Sequence, residues 1–174
     1  NRELKSANLK KFIKEITYNN RNPQDNKVLE QIKDFSTNPE IVLHNGDLLY
    51  RARIIKNDKS ITNKAPYYGL SKTESFVAPS SKTRDMRANY RYIPYLYCSN
   101  SKYIASLEVR PKLYSKVNIS TIEVKEKMTI LDLTMRKFPK RMSDSKINLF
   151  NDLSKLYSKP VMDDDDIIDY IPTQ

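Results

Sequence analysis

Residues 87–111 read RANYRYIPYLYCSNSKYIASLEVRP, and the rest of the chain is best ordered around them. The middle of this stretch, Tyr95-Leu96-Tyr97-Cys98, has the apolar density of a short buried strand. Ser99, Asn100 or Ser101 supplies a helix cap, and the helix that follows is expected to run to about Arg110 and stop at Pro111. On that helix Glu108 lies four residues after Ile104, three after Ala105 and seven after Ser101, so these positions share one face. Ile104 and Ala105 are expected to face the core, which turns Glu108 inward or to the edge of a cleft. A buried carboxylate needs a partner. It is either half of a structural ion pair with a strand arginine or a charge aimed into a pocket.

Upstream, Leu48–Ile54 alternates as a strand does, with Leu49, Arg51 and Arg53 on one face and Leu48, Tyr50, Ala52 and Ile54 on the other. Two arginines on a strand that otherwise reads as buried invite an anionic ligand, because the planar guanidinium donates bidentately and is always charged. The plainer reading is an edge strand whose polar face meets water. Between the strand and the helix lies a basic loop in which Arg84, Arg87 and Arg91 are interleaved with Tyr90, Tyr92, Tyr95 and Tyr97. From Lys82 to Lys112 there are seven basic residues against two acidic ones. Such interleaving suits single-stranded nucleic acid, a nucleotide held by ring stacking and pyrophosphate contacts, or a solvated loop beside a tyrosine-rich strand.

Towards the N-terminus, Leu9, Phe12, Ile13 and Ile16 recur at helical spacing, and Val28, Leu29, Ile32 and Phe35 do so again. Tyr18–Asp25 reads as the loop between them, and the second helix is expected to stop at Ser36-Thr37-Asn38-Pro39. Pro66-Tyr67-Tyr68-Gly69 falls in a polar stretch. Towards the C-terminus, strands are expected at Val117–Val124 and Met128–Leu133. A helix is expected near Ser143–Tyr157, with Ile147, Phe150, Leu153 and Tyr157 on one side. The run Asp163–Asp166 suits the start of a further helix. The expected architecture is α+β: a helical N-terminal segment, residues 1–40, before a domain of short strands, residues 41–174.

Composition narrows the chemistry. The chain has 174 residues, 31 Lys and Arg against 21 Asp and Glu, and a net charge of +10, which favours an anionic partner. One cysteine, Cys98, excludes an internal disulfide and a cysteine-rich zinc site, and in an apolar strand it is expected to be a small core residue. One histidine, His44, argues against a Ser-His-Asp triad or a multi-histidine metal centre and is expected in a surface loop. Two glycines, Gly46 and Gly69, leave no glycine-rich phosphate loop. No apolar run is long enough to span a membrane and no signal-peptide pattern is present, so a cytoplasmic location is the default expectation. Asn1 and Gln174 are expected to be the ends of an excerpt from a longer protein.

Four segments taken together resemble a known family: Leu49-Tyr50-Arg51, Arg87-Ala88-Asn89, Ile93-Pro94-Tyr95-Leu96-Tyr97, and Ala105-Ser106-Leu107-Glu108-Val109-Arg110-Pro111. In this order they resemble the RES domain, whose members are bacterial NAD-consuming toxins of toxin–antitoxin pairs. The resemblance runs from Leu48 to about Leu133, and the block from Ile93 to Pro111 is its specific part. It implies a split β-sheet domain similar to the ADP-ribosyltransferase fold, with NAD bound in the cleft. Carried over, Arg51 matches the family's first arginine, Arg87 and Asn89 its Arg-x-Asn motif, Tyr97 its strand tyrosine and Glu108 its glutamate. The family's late serine has no match here and is expected beyond Gln174 or absent.

What the resemblance implies is cleavage of the nicotinamide–ribose bond of NAD, by hydrolysis or phosphorolysis. Glu108 would stabilise the positive charge that builds on the ribose. Arg51 and Arg87 would neutralise the pyrophosphate, with Tyr50 and Asn89 beside them, and Tyr97 would stack on the nicotinamide or donate to it. NAD is then a substrate, and no metal is called for. The implied partner is an antitoxin protein, with no membrane and with nucleic acid reached only through the antitoxin. ADP-ribosyl transfer to a protein and a non-enzymatic basic nucleic-acid-binding module are the alternatives.

Overall fold

The computed structural model describes residues 4–24, 26–36, 41–56, 61–62, 68–133, 142–159 and 167–174. The expected helix stop at Asn38-Pro39, the Pro66-Tyr67 pair and the acidic run Asp163–Asp166 lie outside them. The chain is mixed α+β and divides into two compact units. Unit 1 comprises Asn1–Val42, Asp85–Tyr90 and Thr129–Gln174, and unit 2 comprises Leu43–Arg84 and Arg91–Met128.

Unit 1 is built on helices. Helix α1, Ala7–Tyr18, starts where the Ser6 hydroxyl accepts the Leu9 N–H, which satisfies one of the donors a helix start leaves open. Helix α2, Lys27–Ser36, follows a short loop, with the Asn26 side chain accepting the Val28 N–H at 2.9 Å. The apolar stripes expected on both helices meet residues far along the chain. Leu9 and Val28 are buried with Leu149, Phe150 and Leu153 of the helix Asp144–Ser158, and each such side chain contributes about 2 kcal/mol on leaving water. Helices α1 and α2 therefore share a core with the helix Asp144–Ser158. Two short amphipathic helices cannot cover their own apolar faces, and these two cover theirs with the C-terminal helix.

The same helix carries a fully buried carboxylate. Asp152 accepts the backbone N–H groups of Lys5 at 2.6 Å and Ser6 at 2.7 Å, and the Lys155 ammonium at 2.8 Å. Burial pushes its carboxyl up, but the bonds from Lys155, Ser6 and Lys5 outweigh this and hold it below the ordinary value.

The strands are short. Strand β1, Ile41–Leu43, pairs with β6, Met128–Ile130. In unit 2, β2, Leu48–Ile54, runs antiparallel to β5, Val117–Glu123, with Arg51 opposite Ser120 and Arg53 opposite Asn118. Strand β3, Ile61–Thr62, pairs with β4, Gly69–Leu70. Gly69 has φ +140, and a Cβ there would lie 2.2 Å from the Asn118 side-chain oxygen, so only glycine lets this backbone pass. That oxygen instead accepts the Leu70 N–H at 3.0 Å. The one-turn helix α3, Lys72–Ser75, follows with a capping box between Ser71 and Glu74. Helix α4, Lys102–Glu108, is capped by the Ser101 hydroxyl, and α5 is the helix Asp144–Ser158 of unit 1, capped by Ser143.

Two expectations about unit 2 are corrected. Tyr95–Cys98 is not a buried strand. It is irregular, Tyr95 and Cys98 are exposed, and pairing is confined to a single bridge between Ser99 and Tyr50. Pro94 has no N–H to donate, and the cap at Ser101 ends the extended run two residues after the bridge. Helix α4 also rotates its faces relative to the expectation. Ala105 is its buried residue, whereas Ile104, Leu107 and Glu108 are exposed. A seven-residue helix has one narrow line of contact, and the small side chain takes it.

Candidate functional site

Unit 2 holds Tyr50, Arg51, Tyr97 and Glu108, whereas Arg87 and Asn89 belong to unit 1. The link inside unit 2 is the bridge to β2. The Tyr50 N–H donates to the Ser99 carbonyl at 2.7 Å, and the Ser99 N–H returns to the Tyr50 carbonyl at 2.8 Å. Helix α4 packs on β2 immediately after this bridge, and the Lys102 ammonium sits 5.4 Å from the centre of the Tyr50 ring, within cation–π range. Sequence reasoning missed this pairing, because nothing in the spacing of Tyr50 and Lys102 marks them as neighbours.

Arg51 is half-buried on β2 and donates from Nη1 to the Ser75 carbonyl at 3.2 Å. Arg53 donates to the Glu74 carbonyl. Both guanidiniums thus serve the last turn of α3, whose carbonyls lack helical donors. The paired arginines of β2 are in this respect structural, a role that the alternation of the strand could not disclose. Burial, then the charge of Arg53, pulls Arg51 below its ordinary value. Cys98 is the thiol that Arg51 senses. It is raised by partial burial, and the guanidinium offsets part of that rise. The expectation of Cys98 as a core residue is corrected: it lies at the surface beside an arginine.

Tyr97 has more than a third of its surface open, and Glu108 is exposed at the C-terminal end of α4. The inward-facing glutamate is thus not observed. The carboxylate ends a face that also carries exposed Ile104.

In unit 1, Arg87 is committed to a helix end. Its Nη1 donates to the Leu156 carbonyl at 2.8 Å and its Nη2 to the Lys159 carbonyl at 2.6 Å. A cation over the final carbonyls of α5 is favourable by charge and by hydrogen bonding. Asn89 is buried and closes the turn begun at Met86, with reciprocal backbone bonds of 3.0 and 3.3 Å. The Gln174 amide donates to the Met86 and Asn89 carbonyls at 3.2 Å each. Tyr157 donates to the Thr173 carbonyl at 3.0 Å, and its phenol is raised by burial, with Arg87 offsetting part of the rise. His44 is exposed in a turn, as expected.

Among the described residues no group of three or more His, Cys, Asp or Glu is placed to hold a metal ion, and no helix is long and apolar enough to cross a membrane. No protein-family model, no curated protein and no solved structure matches the chain.

Proposed function

We propose that this chain is an NAD-consuming toxin of the RES type, folded in the manner of ADP-ribosyltransferases, and that it cleaves the nicotinamide–ribose bond. The observation that supports this reading most is the Tyr50–Ser99 bridge. It joins two of the segments that carry the family resemblance, Leu49–Arg51 and Ile93–Pro111, which are otherwise distant in sequence. Arg51 thereby lies beside Cys98, one residue from Tyr97, and the helix that ends in Glu108 rests on the same strand.

In this reading Arg51 meets the pyrophosphate with the donors not spent on Ser75, Tyr97 offers its ring and hydroxyl to the nicotinamide, and Glu108 faces the ribose. The bonding pair of the glycosidic bond passes to the pyridinium nitrogen, which leaves as neutral nicotinamide, and water or phosphate adds to the ribose carbon. Arg87 is spent on the end of α5, and an antitoxin protein is the implied partner.

The exposure of Glu108 favours, as a second reading, transfer of ADP-ribose to a protein side chain, since an open carboxylate is accessible to a macromolecular acceptor. The deciding experiment is nicotinamide release from NAD, with and without inorganic phosphate, compared with Glu108→Gln. Release that requires Glu108 supports glycosidic cleavage, and its response to phosphate separates phosphorolysis from hydrolysis. Equal release by a folded Glu108→Gln protein rules out Glu108 as the working carboxylate.

A further inference from the structure

The charge of the chain is not spread evenly. Unit 2 carries 15 Lys and Arg against 6 Asp and Glu, so nine of the ten net positive charges fall on it. It also holds eight of the twelve tyrosines. Several of these rings are open to solvent: Tyr92 is 61% exposed, Tyr103 70% and Tyr114 95%.

The backbone holds two of these rings outward at unusual positions. Tyr92 has φ 70 and Tyr114 has φ 64, the left-handed region that bulky side chains seldom enter. Neither is a loose end. The Tyr92 N–H donates to the carbonyl of buried Thr83 at 3.3 Å, and the turn under Tyr114 is closed by the Ser115 N–H on the Lys112 carbonyl at 2.9 Å. A strained backbone that displays rather than buries its aromatic ring is a feature to be explained by function. Each ring also has cationic neighbours in sequence, Arg91 beside Tyr92, and Lys112 and Lys116 flanking Tyr114. Between Arg91 and Lys116 the sole acid is Glu108.

We propose that unit 2 binds single-stranded nucleic acid through its exposed tyrosines and its excess of cations, an activity separate from glycosidic cleavage. Lysine and arginine neutralise the phosphates, and Tyr92 and Tyr114 stack on unpaired bases, which takes no account of base identity. On the sequence, direct nucleic-acid binding is an alternative to NAD cleavage; the segregation of charge into the tyrosine-rich unit supports it as an activity alongside cleavage. An acidic protein partner fits less well, because protein interfaces are depleted in lysine at their centre, whereas here lysines flank Tyr114, the most exposed ring among the described residues.

The test is fluorescence anisotropy of the whole chain with a labelled mixed-sequence single strand of about 20 nucleotides, as RNA and as DNA, alongside the matching duplex and polyglutamate as competitor. The expected result is binding to single strands in preference to duplex, falling steeply between about 50 and 200 mM salt. Tyr92→Ala with Tyr114→Ala weakens it about tenfold and the Phe pair restores it, since stacking needs the ring and not the hydroxyl. Relative affinities for RNA and DNA name the source. Absence of binding at low salt, equal binding to duplex, full competition by polyglutamate, or unchanged affinity in the folded Ala pair would each overturn the proposal. NAD cleavage in the same variants is expected to be unaltered.

Discussion

Tyr50 and Ser99 exchange both backbone hydrogen bonds, at 2.7 and 2.8 Å, and this one residue pair ties the irregular tyrosine segment to strand β2. Two further contacts follow it along the chain, Lys102 over Tyr50 and α4 on β2. Ser99→Pro removes one of the two donors and is expected to cost about 1–2 kcal/mol. Thermal unfolding measures that cost. If nicotinamide release depends on the bridge, it falls in this variant by more than the loss of folded protein explains, whereas Ser99→Ala keeps both backbone bonds, loses only the hydroxyl that accepts the Ser101 N–H at 3.2 Å, and is expected to keep nicotinamide release per folded molecule.

Asp152 makes stability depend on acid. Its folded carboxyl holds a proton less readily than the unfolded chain does, so the unfolded state takes up more protons as pH falls. Its contribution is complete above the ordinary aspartate value of about 4 and is lost as pH drops through the lower folded value. Asp152→Asn should lower stability at pH 7 by about 2 kcal/mol and flatten the acid limb of a denaturant-midpoint profile. An acid limb identical to the parent's would show that Asp152 does not set it.

Gly69 has no substitute at φ +140 opposite Asn118. Gly69→Ala is expected to destabilise unit 2 by about 1–3 kcal/mol through backbone strain, and by more through the clash. Adding Asn118→Ala relieves the clash but orphans the Leu70 N–H, so the double variant recovers only part of the loss. Complete recovery would assign the whole cost to the side chain.

Arg87 distinguishes structure from catalysis. Its two bonds to the end of α5 predict that Arg87→Ala costs about 1–3 kcal/mol. The same variant raises the Tyr157 phenol further, because the charge that offsets burial is gone, and an alkaline absorbance titration against Tyr157→Phe reads that shift. If Arg87 instead serves NAD, the variant raises the KM for NAD with little change in melting temperature.

Helices α1, α2, α4 and α5 were legible in the sequence because their causes are local, whereas the one-turn α3 was not. Apolar spacing and the starts at Ser101 and Ser143 lie within a few residues of what they determine, and β2 was legible from alternation for the same reason. The residues of the candidate site could be listed from the sequence, but not their surroundings. What covers α1 and α2, what Arg51 and Arg87 bond, and which side of α4 is buried depend on partners tens of residues away. The bonds from Lys5 and Ser6 to Asp152 join residues 147 and 146 positions apart, and that from Arg87 to Leu156 joins residues 69 apart. Periodicity shows that a face is apolar or charged. It cannot say which distant carbonyl will occupy a guanidinium, because long-range closure is chosen by the packing of the whole unit. Glu108 is the clearest instance: helix spacing aligned it with Ala105, and the tertiary structure buried Ala105 and left Glu108 in solvent.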